Sequence, residues 1–150
     1  MKFFNARVWI IIFGVMGVLG GSFGAIAAES IALENWEDLN GQALDIAIGL
    51  EVAWGSIVAV WAASIIVIAL SLQHPRDRAR FGAISVVAAF LSQVVAVGAV
   101  SNLGYGEGGG PGFEIAVPLI IAIITLISCI RDWNATTAST PEPSAERASR

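Results

Sequence analysis

Charge is what this chain most lacks. Only 13% of its 150 residues are Asp, Glu, Lys or Arg, against about a quarter in an ordinary soluble domain. It has a single lysine, Lys2, a single histidine, His74, a single tyrosine, Tyr105, and a single cysteine, Cys129. One cysteine excludes an intrachain disulfide and any multi-cysteine metal site. One histidine excludes a haem held between paired histidines. No nucleophile stands beside an evident base. The chain is therefore read as a non-enzyme that takes no metal and no cofactor. With a net charge of −4 and its basic residues dispersed, it also offers no stripe to hold nucleic acid.

Apolar residues fill the space that charge leaves. They make up 56% of the sequence and gather into four runs, about 8–28, 44–72, 81–101 and 113–130. Each is near the ~20 residues that cross ~30 Å of hydrocarbon. The expected fold is all-α, an integral membrane four-helix bundle, with residues 1–133 forming the membrane domain and 134–150 a disordered tail. The eight basic residues, Lys2, Arg7, Arg76, Arg78, Arg80, Arg131, Arg147 and Arg150, fall at the two ends and between runs two and three. Four spans put those segments on one side, so the positive-inside rule predicts cytoplasmic N- and C-termini. The location this implies is a cell membrane crossed several times, taken to be a bacterial inner membrane. Run one also resembles a signal peptide ending at Ala25-Ile26-Ala27. Its apolar stretch exceeds the ~7–15 residues usual for such segments, which favours a retained span.

The connections carry their own signals. In 30–43, Leu33, Trp36 and Leu39 alternate with Glu34, Glu37 and Asp38, which suits a short interfacial helix on the outer face. Asn40-Gly41 makes a turn from which Asn40 can cap the next helix. Segment 73–80, "QHPRDRAR", reads as a tight hairpin, with Pro75 ending the helix before it. Small residues recur at intervals of four: Gly17 with Gly21, Gly20 with Gly24, and Gly55 with Ala59. Such rows let helices approach closely in lipid. They serve either the internal packing of the bundle or a dimerisation face.

Residues 102–114, "NLGYGEGGGPGFE", spell both a G-x-G-x-x-G and a filter-like Gly-Tyr-Gly. A nucleotide loop must follow a β-strand, and this one follows an apolar span. A carbonyl filter needs a re-entrant pore helix, and re-entry would carry Arg76, Arg78 and Arg80 to the acidic side. What remains is a glycine-rich turn, and no nucleotide is expected to bind.

Ionisable groups at membrane depth are functional candidates. Glu51 lies about 31 Å from Leu72 at ~1.5 Å per residue, at the outer boundary, and Glu114 falls on the same side. Together with Glu29, Tyr105 and Glu107 they form a candidate cation or proton site. Gln93, near the membrane middle, with Ser92 and Ser64, provides intramembrane polar groups. The plainer reading makes the carboxylates rim residues and Gln93 a hydrogen-bonding link between helices.

"GLEVAWG" (49–55), "HPRDRAR" (74–80) and "FEIAVPL" (113–119) give the chain a layout that resembles small DoxX-like four-helix membrane proteins. That resemblance implies the four-helix fold and no particular reaction. The expected role is a non-catalytic accessory or scaffold subunit that packs through glycine-rich helix faces. The alternative is a small oligomeric transporter or channel-like protein with an outer acidic cation or proton site. Partners are the lipid bilayer and either further copies of the chain or a larger membrane complex.

Overall fold

In the computed structural model, which describes residues 4–35, 40–102 and 113–138, every regular element is helical. The order is α1 (Ala6–Ile26), α2 (Ala28–Asn35), α3 (Gly41–Ser71), α4 (Pro75–Asn102) and α5 (Phe113–Ala138). Four of these contain stretches long and apolar enough to cross a membrane: Ala6–Ile26, Gly41–Ser71, Pro75–Ala96 and Ala116–Ala135, with mean hydropathies of 2.0, 2.2, 1.6 and 1.8. That marks a multi-pass membrane protein.

Local chemistry sets the helix ends. The Asn5 side chain accepts a hydrogen bond from the Arg7 amide at 2.9 Å and starts α1, as an N-cap asparagine should. Ala27 interrupts the helix and α2 resumes at once. Asn40 is extended at the N-cap of α3 but makes no side-chain cap hydrogen bond. Gly41, at φ +53°, takes the left-handed turn there. Pro75 lacks the N–H that would bond the Ser71 carbonyl. α3 stops at Ser71, and Pro75 is the first residue of α4, where its missing N–H breaks no intrahelical bond. Arg76, Asp77, Arg78 and Arg80, expected in a tight hairpin over 73–80, are thus helical. α5 continues to Ala138, past the expected start of the tail. Trp36 and Leu39, the glycine turn at 103–112 and residues 139–150 lie outside the described residues.

α1 organises the packing and is the only helix that touches all the others among the described residues. It lies most closely along α3 and also meets α5, α4 and α2. α4 pairs with α5, α3 meets α4 lightly, and α3 does not meet α5. The core gathers at the arginine-bearing end, where Ala6, Ile10, Ile65, Ala69, Ala79, Ala83 and Cys129 are buried together. Gly82 belongs there, since a Cβ on it would sit 2.6 Å from Ile10 Cγ1 and 2.7 Å from Cys129 Sγ. No described residue of α4 after Val86 is buried, nor any of α5 before Thr125. Toward the acidic end, the described residues of α4 and α5 are therefore less covered than those at the arginine-bearing end.

Polar contacts close the arginine-bearing end. The Asp132 carboxylate on α5 accepts the Ala6 amide at 2.9 Å, satisfying one of the free donors that begin α1. Arg131 pairs with that carboxylate at 3.0 Å and also donates to the Phe4 carbonyl. Arg78 donates to the carbonyls of Ala69, at 3.0 Å, and Leu72, covering acceptors that α3 leaves open at its C-terminus. Arg80 lies 5.0 Å from the centre of the Trp133 ring. Deeper in, Thr125 donates to its own helix at Ile121, 2.7 Å, and across to the Trp9 carbonyl at 3.2 Å. Asp132→Ala is expected to lower stability by about 1–3 kcal/mol, the cost of leaving a charge-assisted acceptor unmade. Thermal unfolding of the purified protein in detergent checks this, and an unchanged midpoint would show that the contact is incidental.

Candidate binding groove

The site begins with the contact between α1 and α3. A Cβ on Gly21 would lie 2.6 Å from both the Gly55 carbonyl oxygen and the Ala59 amide nitrogen. One on Gly55 would lie 2.5 Å from the Ala25 nitrogen and 2.6 Å from the Gly21 oxygen. These obstacles are backbone atoms, so no side-chain adjustment relieves them. Gly17 packs against the Ala62 side chain and Gly14 against Ile66, whereas Gly24 has looser space 3.9 Å from the Gly55 Cα. Gly17, Gly21, Gly55 and Ala59 therefore meet inside the chain. Gly20 behaves differently: a Cβ there would meet nothing within 4 Å.

Gly20 faces a groove. One part, of about 220 Å³, is lined by Phe13, Met16, Gly17, Gly20 and Gly21 of α1, Val58, Trp61 and Ala62 of α3, and Pro118 and Ile121 of α5. Phe13 and Trp61 stand edge to face, 6.4 Å apart at 84°, an arrangement favoured by their ring quadrupoles. A second part, of about 140 Å³, is lined by Gly20, Gly21 and Gly24, by Glu51, Trp54, Gly55 and Val58 of α3, and by Gln93 of α4. Gly20, Gly21 and Val58 belong to both parts, so the apolar space adjoins the polar one.

The expected site residues are divided by this geometry. Glu51 and Gln93 come to one wall, although 42 positions separate them. Neither makes a hydrogen bond or ion pair with a described residue. Glu51 is half-buried and Gln93 exposed. Glu29, exposed in the first turn of α2, does not line the groove. Ser64 donates to the Val60 carbonyl at 2.9 Å and Ser92 to that of Ala89 at 2.8 Å. Both hydroxyls are satisfied within their own helices and supply nothing to Glu51. Glu114 is in the first turn of α5. Tyr105 and Glu107 lie outside the described residues. No three His, Cys, Asp or Glu side chains are placed to share a metal ion among the described residues.

The aromatic wall was missed in the sequence, although a signal for it existed. Glu51, Trp54, Gly55, Val58, Trp61 and Ala62 are spaced so as to follow one face of α3. Phe13, Met16, Gly17 and Gly20 do the same on α1. In helices that are apolar all round, such spacing does not distinguish a groove face from a lipid face. No protein-family model, curated protein or solved structure matches the chain.

Gly21→Leu is expected to force α1 and α3 apart and destabilise the protein by about 1–3 kcal/mol, as overpacking does. Gly20→Ala, with open space ahead of it, is expected to stay within about 1 kcal/mol of the parent. Thermal unfolding of the two variants side by side checks the contrast, and equal midpoints would refute the packing described.

Proposed function

We propose that this chain is a four-span membrane bundle of DoxX-like layout with both termini in the cytoplasm. We place it in a bacterial inner membrane, acting there as a non-catalytic accessory or scaffold subunit. One observation carries the role. On α4, Gln93 is uncovered among Val87, Phe90, Leu91, Val94 and Val95, all likewise uncovered by the rest of the chain. An amide at membrane depth without a partner among the described residues is unfavourable, and interhelical bonds from glutamine are a recognised means of joining membrane helices. A helix from another subunit would satisfy Gln93 and cover its neighbours. Since Gly17, Gly21 and Gly55 are occupied within the chain, the proposed partner face is α4 rather than the glycine row of α1.

The second reading is a small oligomeric transporter or channel-like protein with a cation site at Glu51. It is favoured by the presence of Glu51 and Gln93 on one groove.

Native mass spectrometry after mild detergent extraction distinguishes the two roles. The accessory role predicts a stoichiometric larger partner that is lost or weakened in Gln93→Leu. A homo-oligomer alone would overturn it and favour the second reading. Orientation is tested by labelling single-cysteine variants in a Cys129→Ser background with an impermeant maleimide. Gln42→Cys is expected to react in intact cells and His74→Cys only after permeabilisation. The opposite pattern would reverse the proposed topology.

A further inference from the structure

We propose that the groove between α1, α3 and α5 binds an amphiphilic organic cation, with its ammonium head at Glu51 and Trp54 and its apolar body between Phe13, Met16, Trp61 and Pro118. The inference rests on the second reading to the extent that it places a cation at Glu51, but it does not require that the cation cross the membrane.

Charge is the first argument. Glu51 is half-buried and makes no hydrogen bond or ion pair with a described residue. No basic residue lines the groove among the described residues. The arginines of the described residues, Arg7, Arg76, Arg78, Arg80 and Arg131, lie near the N-terminus of α1, the start of α4 and the C-terminal part of α5, away from Glu51. The cations of the described residues therefore leave this carboxylate uncompensated, and a positively charged ligand would complement it.

The rest of the lining indicates what kind of cation. Calcium takes six to eight oxygen ligands, and magnesium a near-ideal octahedron. The polar part of the groove supplies the carboxylate of Glu51 and the amide of Gln93 beside the indole of Trp54, a poor set for a hard metal ion. Carboxylate with tryptophan is instead the chemistry that holds ammonium groups, through charge and through the ring quadrupole. Such a cation needs a place for its apolar substituents, and the adjoining space of about 220 Å³ provides one. An apolar cavity of about 150 Å³ is enough to take up benzene. The adjoining space therefore suits a body the size of one aromatic ring or a short branched alkyl group. Gly20 leaves room for it at the junction, where it lines both parts and has no atom within 4 Å of the position a Cβ would occupy.

The probe is tritiated benzyltrimethylammonium, whose binding to the full chain in detergent micelles is measured against protein-free micelles. Its uncharged isostere, neopentylbenzene, serves as competitor. The isostere is expected to compete at least about tenfold more weakly than the unlabelled cation, since a desolvated charge pair with a cation–π contact exceeds burial of the same shape. Glu51→Gln, which removes no contact to a described residue, is expected to weaken cation binding about tenfold or more and erase that preference. Trp54→Leu is expected to weaken it about threefold to tenfold. Gly20→Leu, whose Cβ enters open space at the junction, is expected to abolish binding while the protein keeps a cooperative unfolding transition in the same detergent.

Absence of saturable binding, equal competition by cation and isostere, or full binding by Glu51→Gln or Gly20→Leu would each overturn the proposal. Uptake of the same cation into liposomes is measured in parallel. Binding without uptake would leave the groove assignment standing and remove the transporter reading. Uptake without saturable groove binding would do the reverse.

Discussion

The backbone contact between Gly21 and Gly55 is the constraint from which the rest of the molecule follows. Two apolar helices in lipid gain little from apolar contact as such, because the tails that surround them are as apolar as their side chains. They hold together by dispersion and by weak polar contacts that require close approach. Here the approach is limited by main-chain atoms on both sides, with a missing Cβ on each helix making room for the other. That contact fixes α1 along α3 and determines which of their neighbouring residues face outward together. The groove is the concave flank of this pair.

The two ends of the protein are held by different physics. At the arginine-bearing end, helix termini leave unpaired donors and acceptors, and side chains from distant parts of the chain satisfy them. Asp132 serves the start of α1, Arg78 serves the end of α3, and Thr125 ties α5 to the Trp9 carbonyl. Small residues, Ala6, Ala69, Ala79, Ala83 and Gly82, let four helices converge there. α1 and α3 are the most closely joined pair, with α2 beside α3, and their glycine contact lies toward the acidic end. α4 still carries small residues there, among them Ala88, Ser92 and Ala96, but none of its described residues after Val86 is buried. The groove lies along the close pair of α1 and α3, with Pro118 and Ile121 of α5 and Gln93 of α4 completing its lining.

Much of this was legible in residues read one at a time. The apolar runs gave the four long helices to within a few residues at most ends, because the length of a helix that can span hydrocarbon is set by the backbone rise and the lipid thickness. The small-residue rows of α1 and α3 pointed to close approach. Less legible was that the same proline, Pro75, begins α4, so that the arginines after it are helical. α5 outlasts its apolar run because Arg131, Asp132 and Trp133 are themselves anchored by tertiary contacts. The serines near Gln93 appeared available for a polar cluster, but each donates to the carbonyl of its own preceding turn, a local option that competes with every longer-range one.

Composition and hydropathy by themselves determined that this chain is helical, built from four long apolar segments, and poor in the groups that catalysis or metal binding requires. These are properties of length, period and residue type, and no tertiary information is needed to state them. Only the tertiary structure decided which glycines are occupied and which is open, and that Glu51 stands with Trp54 and Gln93 rather than with Glu29. In helices that are apolar on every side, sequence period marks a face but not what covers it. Which face meets a helix, a groove or lipid depends on how closely the backbones of α1 and α3 can approach. That distance is set jointly by Gly21 and Gly55, two residues 34 positions apart.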